Sequence, residues 1–557
     1  MRTGIRRLIR SWLWTGGMLA FSAQAAPPPL PVTPGGIGAT LQHPELLQEA
    51  PQTPEISQPR KNPEAVSEQG PKIVVQQFKF SGNTVFGDDV LQPLVAGYLN
   101  KPISLGQLYE AADAVAEFYA GKGYTLANVA VPAQTVSGGS VTLEVIEGRV
   151  GRIGFEGNHR YHDGTLGAFV SHTRSGQIYR SPPLEDDLQT LNALPGLEAR
   201  AVLKPGGDYG TSDITIKTQE HLLDGDLVLD NYGRRDTGEF RTSGSVTVNN
   251  PIGIGDQLQV LGTHSGTNQL NYGYVDYSIP LDHRGLRFDA NYGYAFFQLN
   301  VPAGGGGGVS KLDGKNVNAE ANLQQTWWRT AADTFTTSAG FLHTNANATI
   351  GGVISAVDTN VNLLNLTFNY AHIWTNAAAT QVAASIHSNF EGSGSGPGGT
   401  PGDLKREVFR GEINVQHLQP LPARLQLLAQ LDGEYSPDAL ADTEKLSIGG
   451  PTSVRGFQPS EARGDRGYFA QLGLRRPFPV GPVTVLPRVF GDAGRVINVN
   501  PAGFGDTGLS LASAGVGADV LYRKVSLKVD WSYPFDDKPE SDGRSGGRVY
   551  AALAAGF

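Results

Sequence analysis

The sequence predicts a transmembrane β-barrel of about 16 antiparallel strands that follows two small α/β domains. Polar and apolar residues alternate with period two in segments such as Val525–Tyr533, and this pattern extends from about residue 222 to the end. Only 39% of the 557 residues are hydrophobic, and past the N-terminus no apolar run approaches the roughly 20 residues of a membrane-spanning helix. A strand-Phe-x-Gly-Asn motif occurs twice before residue 222, which indicates two related domains.

Residues 1–25 have the composition of a signal peptide. Four arginines precede the apolar stretch Leu13–Phe21, and Ala23-Gln24-Ala25 supplies the small residues of a cleavage site. The alternative is a cytosolic protein with a chance apolar start. Because the segment has four basic and no acidic residues, its removal changes the formal net charge from −9 to −13, which argues against a nucleic-acid binder. The chain has no cysteine, which excludes disulfides, thiolate metal sites and a cysteine nucleophile.

Residues 26–72 are predicted to form a linker. They contain eleven prolines and few aromatic or β-branched residues, so they cannot bury enough surface to offset the entropy of ordering. Within them, Pro44–Glu49 begins with a proline suited to a first helical turn and could form a short helix. Pro44 and Pro51 limit any such helix to about two turns.

Two α/β domains are predicted after the linker, because Phe78–Asn83 and Ile153–Asn158 carry the repeated motif about 75 residues apart. In the first domain, Ser104 and Gln107 have the spacing of a capping box at the start of a helix. The expected buried face of this helix consists of Leu105, Leu108, Ala112, Val115, Ala116 and Tyr119.

The first domain is assigned to residues 73–149 and the second to residues 150–221. In the second, we expect a helix over Leu184–Leu194 and strands at Ala201–Leu203 and Ile214–Ile216. A strand edge beside a helix can capture an extended polypeptide as a further strand. The alternative is that both domains are only spacers.

Residues 222–557 are predicted to form the barrel. Apolar residues of Val525–Tyr533 would face lipid and polar ones a lumen, and the sheet must close because lipid cannot satisfy an open edge. Seven short turns and eight long loops, of which Asn345–Asn360 is one, give the strand number. A soluble β-sandwich would show the same alternation but would not need a signal peptide. The longest loop is Pro437–Arg466.

A short stretch in this loop has a potential partner on a strand. The loop contains Val454-Arg455-Gly456-Phe457, and Phe490-Gly491-Asp492 ends the alternating strand Val483–Phe490. If Asp492 faces the lumen, its carboxylate and the Arg455 guanidinium would form a partly buried pair that holds the loop inside the barrel. The alternative is an exposed ion pair of little consequence.

No catalytic, cofactor or metal site is predicted, so the protein is not expected to be an enzyme. Gly304–Gly308 lacks the Lys-Ser/Thr and the strand-to-helix context of a phosphate-binding loop. Gly392–Gly396 has glycine at its centre and is therefore not a nucleophile elbow. His159 and His162 have no third ligand nearby in the sequence.

The loop and strand motifs resemble those of TpsB two-partner secretion transporters, the haemolysin secretion/activation branch of the Omp85 superfamily. Leu229–Gly233 and Asn249–Asp256 look like the start of a TpsB barrel, and the two α/β domains look like POTRA domains. The resemblance extends from about residue 73 to the end. The linker is the main departure, because family members usually open with a longer helix that plugs the barrel.

The resemblance implies a bacterial outer-membrane transporter with its POTRA domains in the periplasm. These domains would recognise an unfolded TpsA-like exoprotein (an adhesin, haemolysin or toxin), and the barrel would translocate it to the cell surface. An alternative is an assembly or insertion factor for other barrels, against which two POTRA domains and the proline-rich extension argue. A third possibility, a passive porin, would have no use for the repeat.

The final segment is a predicted strand with one apolar face that can meet outer-membrane lipid. It resembles the C-terminal signal that the barrel assembly machinery reads during biogenesis. The residues of this face are Val549, Ala551, Leu553, Ala555 and Phe557.

Overall fold

The protein is described from a computed structural model. The chain divides into two compact units, one of Gln52–His221 and one that contains Leu222–Phe557. The predicted signal peptide and the predicted helix at Pro44–Glu49 lie outside the described residues. The described residues are 56–57, 72–136, 138–267, 269–302, 309–350, 354–395, 408–499, 506–535 and 546–557.

The unit of Gln52–His221 consists of two α/β modules that repeat one order of elements, and the predicted pair of α/β domains is confirmed. Both modules contain the order strand, helix, helix, strand, strand, to which the first module adds a pair of two-residue strands, and each module has its own core of buried apolar side chains. The elements are β1 Ile56–Ser57, β2 Ile73–Val74, β3 Gln77–Ser81, α1 Asp88–Val95, β4 Pro102–Ile103, α2 Leu105–Gly121, β5 Asn128–Ala130, β6 Ser140–Ile146, β7 Arg149–Glu156, α3 Asp163–Phe169, α4 Ser181–Asn192, β8 Leu197–Pro205 and β9 Thr211–Glu220, with a 3-10 helix at Ala96–Tyr98.

The two sheets share one topology. The first has the order β3-β6-β5 and the second the order β1-β8-β9-β7. In the first sheet, β3 is parallel to β6 and β5 is antiparallel to β6. In the second sheet, β7 is likewise parallel to β9 and β8 is antiparallel to β9. The second sheet gains β1, which comes from the predicted linker and pairs in parallel with β8, Ile56 beside Ala201 and Ser57 beside Val202.

Helix α2 begins with the predicted capping box, in which the Ser104 and Gln107 side chains each accept the backbone N–H of the other residue. Its predicted buried face is wrong at Leu105, which is 47% exposed, whereas Ala111 is buried. Leu105 and Ala111 lie at opposite margins of the buried face of α2, and the hydrophobic core covers the margin that contains Ala111. Helices α1 and α3 are not predicted from the sequence, because they have eight and seven residues and α1 contains Pro93.

The repeated Gly-Asn motif builds the same turn in both modules. The Asn83 side chain donates to the Phe86 carbonyl oxygen and to the Asp88 carboxylate, each at 3.0 Å, just before α1. Asn158 makes the corresponding two bonds at 2.8 Å, to residues three and five positions further on. The sequence repeat therefore reflects a repeated hydrogen-bonding pattern.

A glutamate near the end of each module's last strand completes this turn. Glu147 accepts the backbone N–H groups of Thr84 and Val85 at 2.6 and 2.7 Å and the Tyr119 hydroxyl at 3.0 Å. Burial and the neighbouring Glu147 carboxylate raise the pKa of the Tyr119 hydroxyl. In the second module, Glu220 accepts three successive backbone N–H groups, at 2.9, 2.9 and 3.2 Å. Each carboxylate satisfies donors that would otherwise be left unpaired beside a core.

Replacing Glu147 with alanine is expected to lower the free energy of unfolding of the α/β unit by about 2 to 4 kcal/mol, because several donors lose their acceptor together. Urea denaturation of a Gln52–His221 fragment, followed by circular dichroism, would measure the loss. Glu117→Ala is the matched control, since Glu117 is exposed on α2. A similar loss in both variants would contradict the role of Glu147.

The second unit is a closed antiparallel β-barrel, as predicted. Its wall consists of 17 segments. Two of them, Arg466–Arg475 and Phe478–Val480, pair with the same neighbouring strand and are consecutive parts of one strand, so the described wall has 16 strands. The segments are β10 Leu223–Asp230, β11 Arg241–Asn249, β12 Gln257–Ser265, β13 Leu270–Pro280, β14 Leu286–Pro302, β15 Val309–Arg329, β16 Asp333–Ile350, β17 Ile354–Ile373, β18 Ala379–Ser395, β19 Phe409–Pro420, β20 Gln426–Tyr435, β23 Arg466–Arg475, β24 Phe478–Val480, β25 Val483–Asn498, β26 Thr507–Tyr522, β27 Val525–Pro534 and β28 Arg548–Gly556, while β21 Leu446–Ile448 and β22 Ala462–Gly464 form a separate hairpin.

The barrel wall has an apolar outer face and a polar inner face. In β27, Leu527 and Trp531 are exposed on the outside, whereas Asp530 and Ser532 are buried on the inside. The wall closes where β10 pairs with β28, through Asp226–Asp230 and Ala552–Gly556. The predicted alternation therefore gives the correct orientation of these side chains.

Several predicted loop boundaries are wrong because the strands are longer than a bilayer requires. Residues Asn345–Asn360 were expected to form a loop, yet β16 continues to Ile350 and β17 begins at Ile354. Strands β15, β16 and β17 have 21, 18 and 20 residues, about twice the 9–11 that cross the hydrocarbon. No helix in the described part of the chain is long and apolar enough to cross a membrane.

Candidate functional site

The loop between β20 and β23 is largely buried. It contains the 3-10 helix Asp442–Glu444 and the hairpin of β21 and β22. Its two ends are joined by the buried Asp465, whose carboxylate accepts the Leu440 N–H at 2.7 Å and lies 3.3 Å from Lys445 Nζ. The loop is therefore a closed structure of its own, with its tip packed against the barrel wall.

Arg455 at the loop tip forms a bidentate pair with Asp492. The Arg455 Nε and Nη2 groups donate to the two carboxylate oxygens at 2.7 and 2.6 Å, and its backbone N–H donates to Oδ2 at 3.1 Å. Arg455 is 7% and Asp492 4% exposed. The predicted end of the strand near Phe490 is wrong, because β25 continues to Asn498 and includes Asp492. Loss of Arg455 would leave the buried Asp492 carboxylate without its cationic partner.

The other residues of the two predicted motifs differ in their roles. The Arg455 guanidinium carbon lies 3.5 Å from the centre of the Phe490 ring, which is cation–π geometry. Gly456 has a φ of 101°, and a Cβ there would lie 3.1 Å from the Ser513 Cβ, so the turn favours glycine. Gly491 lies on the exposed face of β25 and does not face the loop.

Val454 and Phe457 anchor the loop tip in an apolar cluster against the wall. Gly494 on β25 is a functional candidate that the sequence analysis missed. A Cβ at this position would lie 2.9 Å from the Phe469 Cβ and 3.2 Å from the Val454 Cγ2, so a larger residue would displace the tip. The sequence signal that could have indicated Gly494 is that it is a second glycine in this strand, two positions after Asp492. The wall residues in the cluster are Phe469, Val496 and Leu511.

Further charged residues of the inner wall extend the Arg455 pair. Asp530 on β27 lies 3.9 Å from Arg455 Nη1 and accepts a hydrogen bond from Arg488 at 2.6 Å. Arg488 also donates to Asp519 at 2.5 Å. The alternation in the sequence predicts Asp530 on the polar face of its strand but does not connect it with the loop. The missing information is the pairing of β25, β26 and β27, which sets these side chains side by side.

The loop tip also contacts both sides of the barrel closure. The Tyr550 hydroxyl on β28 donates to the Phe457 carbonyl oxygen at 2.5 Å. Arg234, which follows β10, donates to the Pro459 carbonyl oxygen at 2.6 Å. Asn231 joins the two closing strands through the Val549 carbonyl oxygen at 2.9 Å and the N–H of the residue two positions later at 2.7 Å. The loop is thus held by the wall near β25 and by the first and last strands.

The final strand has the predicted two faces. Val549, Leu553 and Phe557 are exposed on the outside, with the smaller Ala551 and Ala555 half-buried between them. The strand pairs with β10 and β27, and the Phe557 N–H donates to the Gly225 carbonyl oxygen at 3.0 Å. The geometry agrees with barrel closure, and the role of this strand as an assembly signal stays a prediction.

The outer edge of β8 is a second candidate site. The Asn192 side-chain amide accepts the Ala199 N–H at 2.7 Å and donates to the Ala199 carbonyl oxygen at 3.0 Å. The backbone groups of Ala199 therefore point away from β9, and those of Ala201 and Leu203 do the same, because strand backbone groups alternate. Strand β1 pairs with this edge at Ala201 and at the next residue.

The corresponding edge of the first module is that of β5, and it is shorter. Beyond the end of β5, the Gln134 side-chain amide covers the adjoining edge of β6. It accepts the Thr142 N–H at 2.7 Å and donates to the Thr142 carbonyl oxygen at 2.8 Å. Strand β5 has three residues, whereas β8 has nine. Between the edges of β5 and β8, that of β8 therefore offers the longer template for an added strand.

The barrel and the first α/β module match two family models. Residues 210–520 match the model of the haemolysin secretion/activation protein ShlB/FhaC/HecB. Residues 73–148 match the model of the ShlB-type POTRA domain. The first match covers more than half of the chain.

Relatives with known names are similar over most of their length. The outer membrane transporter CdiB of Dickeya dadantii is 25% identical over 481 residues, which are 84% of this chain and 83% of that protein. The heme/hemopexin transporter protein HuxB of Haemophilus influenzae is 26% identical over 72% of this chain and 71% of its own length.

Solved structures show the same fold. CdiB from Escherichia coli has a TM-score of 0.65 at 20% identity, over 89% of this chain and 93% of its own. BamA from Haemophilus ducreyi lacking POTRA domains 1–3 has a TM-score of 0.53 at 15% identity, over 87% of this chain and 100% of its own.

Proposed function

The chain belongs to the haemolysin secretion/activation protein family ShlB/FhaC/HecB, and we propose that it recognises an unfolded TpsA-like exoprotein through its POTRA modules. As a member of this family it is an outer-membrane transporter of two-partner secretion, with its POTRA modules in the periplasm. The observation that carries the recognition proposal is the outer edge of β8, which already pairs with the extended segment β1. The closed barrel with a buried loop fixed to its wall by Arg455 and Asp492 supports gated passage through the barrel.

The loop is the proposed gate of this transporter. Sixteen strands enclose a lumen wide enough for an aqueous channel, so a loop held inside restricts passage. A buried, bidentate pair gives the loop one defined position. The Arg455–Asp492 pair would keep this position at rest and let the loop take up a different one when the exoprotein enters.

Client capture is proposed at the outer edge of β8. The edge presents backbone N–H and C=O groups, and a segment of this chain, β1, already pairs with it in extended conformation. Backbone pairing has little sequence dependence, which suits the recognition of an unfolded chain. Because β1 contributes only two residues, an exoprotein segment with a longer pairing could replace it.

The outer face of β28 would contact outer-membrane lipid, and its apolar residues would be read by the barrel assembly machinery during biogenesis. The support for this proposal is the exposure of Val549, Leu553 and Phe557 in the closing strand.

Deleting this gene is expected to remove the TpsA-like exoprotein that it exports from the cell surface and the medium, and the wild-type gene should restore it. Immunoblots of surface and medium fractions with an antibody to that exoprotein would measure export. The levels of other outer-membrane barrels are the control. If those barrels disappear and export continues, the protein is an assembly factor and the proposed function is wrong.

A further inference from the structure

A second buried arginine connects the barrel wall with the same loop. Arg410 lies on the inner face near the start of β19 and is buried. Its Nη1 group donates to the Glu444 carbonyl oxygen at 2.7 Å and to the Glu444 carboxylate at 2.9 Å. Its Nη2 group lies 2.8 Å from the carboxylate of Glu412, which belongs to the wall. One guanidinium therefore binds the loop and the wall together.

This contact lies on a different part of the wall from the Arg455 pair. Arg410 is on β19, Asp492 is on β25, and β20 and β23 separate these strands. Along the loop, Glu444 precedes the hairpin strand β21 and Arg455 follows it. A change that frees Arg455 consequently leaves the Glu444 contact intact.

The surroundings of Arg410 make the contact specific. Glu412 is the register partner of Glu434 on β20, so the guanidinium faces two wall carboxylates and the loop carboxylate of Glu444. Without Glu444, Arg410 keeps the nearby Glu412 as its partner, so the wall does not acquire an unpaired buried charge. Glu444 can therefore be changed with little effect on the barrel.

We infer that the Arg410–Glu444 pair is a second anchor, which holds the first leg of the loop to the wall independently of Arg455. Glu444 and Arg410 are positioning residues of the gate, and this inference rests on the proposed function of the loop. Movement of the tip alone would then be a hinged motion of the segment after β21, which leaves Glu444 and Ser447 in place. Full removal of the loop from the lumen would need both pairs to break.

Single cysteines can test this in the full-length protein in cells, because the chain contains no cysteine of its own. Ser447→Cys reports on the segment after Glu444, and Thr452→Cys reports on the tip. The rate of labelling by a membrane-impermeant maleimide is compared between Glu444→Ala, Arg455→Ala and the double variant. A folded barrel is verified for each variant by its heat-modifiable migration in gels.

Glu444→Ala is expected to raise labelling of Ser447→Cys roughly tenfold, the factor for one lost charge-assisted hydrogen bond, and to leave Thr452→Cys within about twofold. Arg455→Ala should raise labelling of Thr452→Cys and leave Ser447→Cys within about twofold. The double variant should raise the labelling rates of both cysteines. Glu444→Gln, which keeps an oxygen acceptor, should give a smaller increase. Asp506→Ala is the matched control, because it removes a more exposed ion pair with Arg466.

Unchanged labelling of Ser447→Cys in Glu444→Ala would overturn the second anchor, as would release of both positions by Arg455→Ala alone. If Arg455→Ala leaves Thr452→Cys protected, the proposed role of the Arg455 pair is wrong instead. In that case the Glu444→Ala result still decides whether the second anchor exists.

Discussion

Export of the exoprotein is expected to fall at least about tenfold when Arg455 is replaced with alanine, while the barrel remains folded in the outer membrane. The substitution removes both side-chain bonds to Asp492 and the contact with Phe490, so the loop loses its defined position. It also leaves the buried Asp492 carboxylate with only the backbone N–H of residue 455 from the loop. Immunoblots of the medium would measure export.

Four further variants make this prediction specific to the pair. Asp492→Ala should reduce export to a similar extent, and Asp492→Asn, which keeps one oxygen acceptor, should reduce it less. Arg466→Ala is the matched control, because the Arg466–Asp506 pair is more exposed. Exchange of the charges, Arg455→Asp with Asp492→Arg, should restore little, since aspartate is too short to reach and cannot stack on Phe490. Normal export by both alanine variants would refute the lock.

The fold was largely predictable from the sequence because each of its parts depends on local pattern. Period-two alternation gives the strands and their faces, as in β27, and the repeated Gly-Asn motif gives the two modules. The strand ends were less predictable, since β16 and β17 continue as polar strands through the expected loop at Asn345–Asn360. A polar segment beyond the membrane has the same composition whether it is a strand or a loop.

The candidate site was only partly predictable, because its residues meet through strand pairing across the barrel. Arg455 and Asp492 belong to recognisable motifs and do lie together. Arg410, Glu444 and Tyr550 belong to no motif, and only the closed wall brings Arg410 to Glu444 and Tyr550 to Phe457. The pairing of β1 with β8 is equally non-local, and a two-residue strand has no periodicity to detect.

A disulfide that fixes β1 to β8 is expected to reduce export by at least about tenfold, because the exoprotein could no longer displace β1 from the edge. Ser57 and Val202 are register partners, so Ser57→Cys with Val202→Cys places two cysteines on adjacent strands. The periplasm is oxidising and the chain has no other cysteine, so the bond should form there without competition. A reducing agent should restore export.

The control for this clamp is a second disulfide in the same sheet. Glu156 and Lys217 are register partners in the parallel pair of β7 and β9, on the side of the sheet away from the β8 edge. Glu156→Cys with Lys217→Cys should therefore form a bond of the same kind and leave export unchanged, as should each single cysteine. Normal export with the oxidised clamp at Ser57 and Val202 would show that the β8 edge does not receive the exoprotein. Capture by backbone pairing would then have to use another edge strand of the module sheets, which among the described residues are β3, β5 and β7.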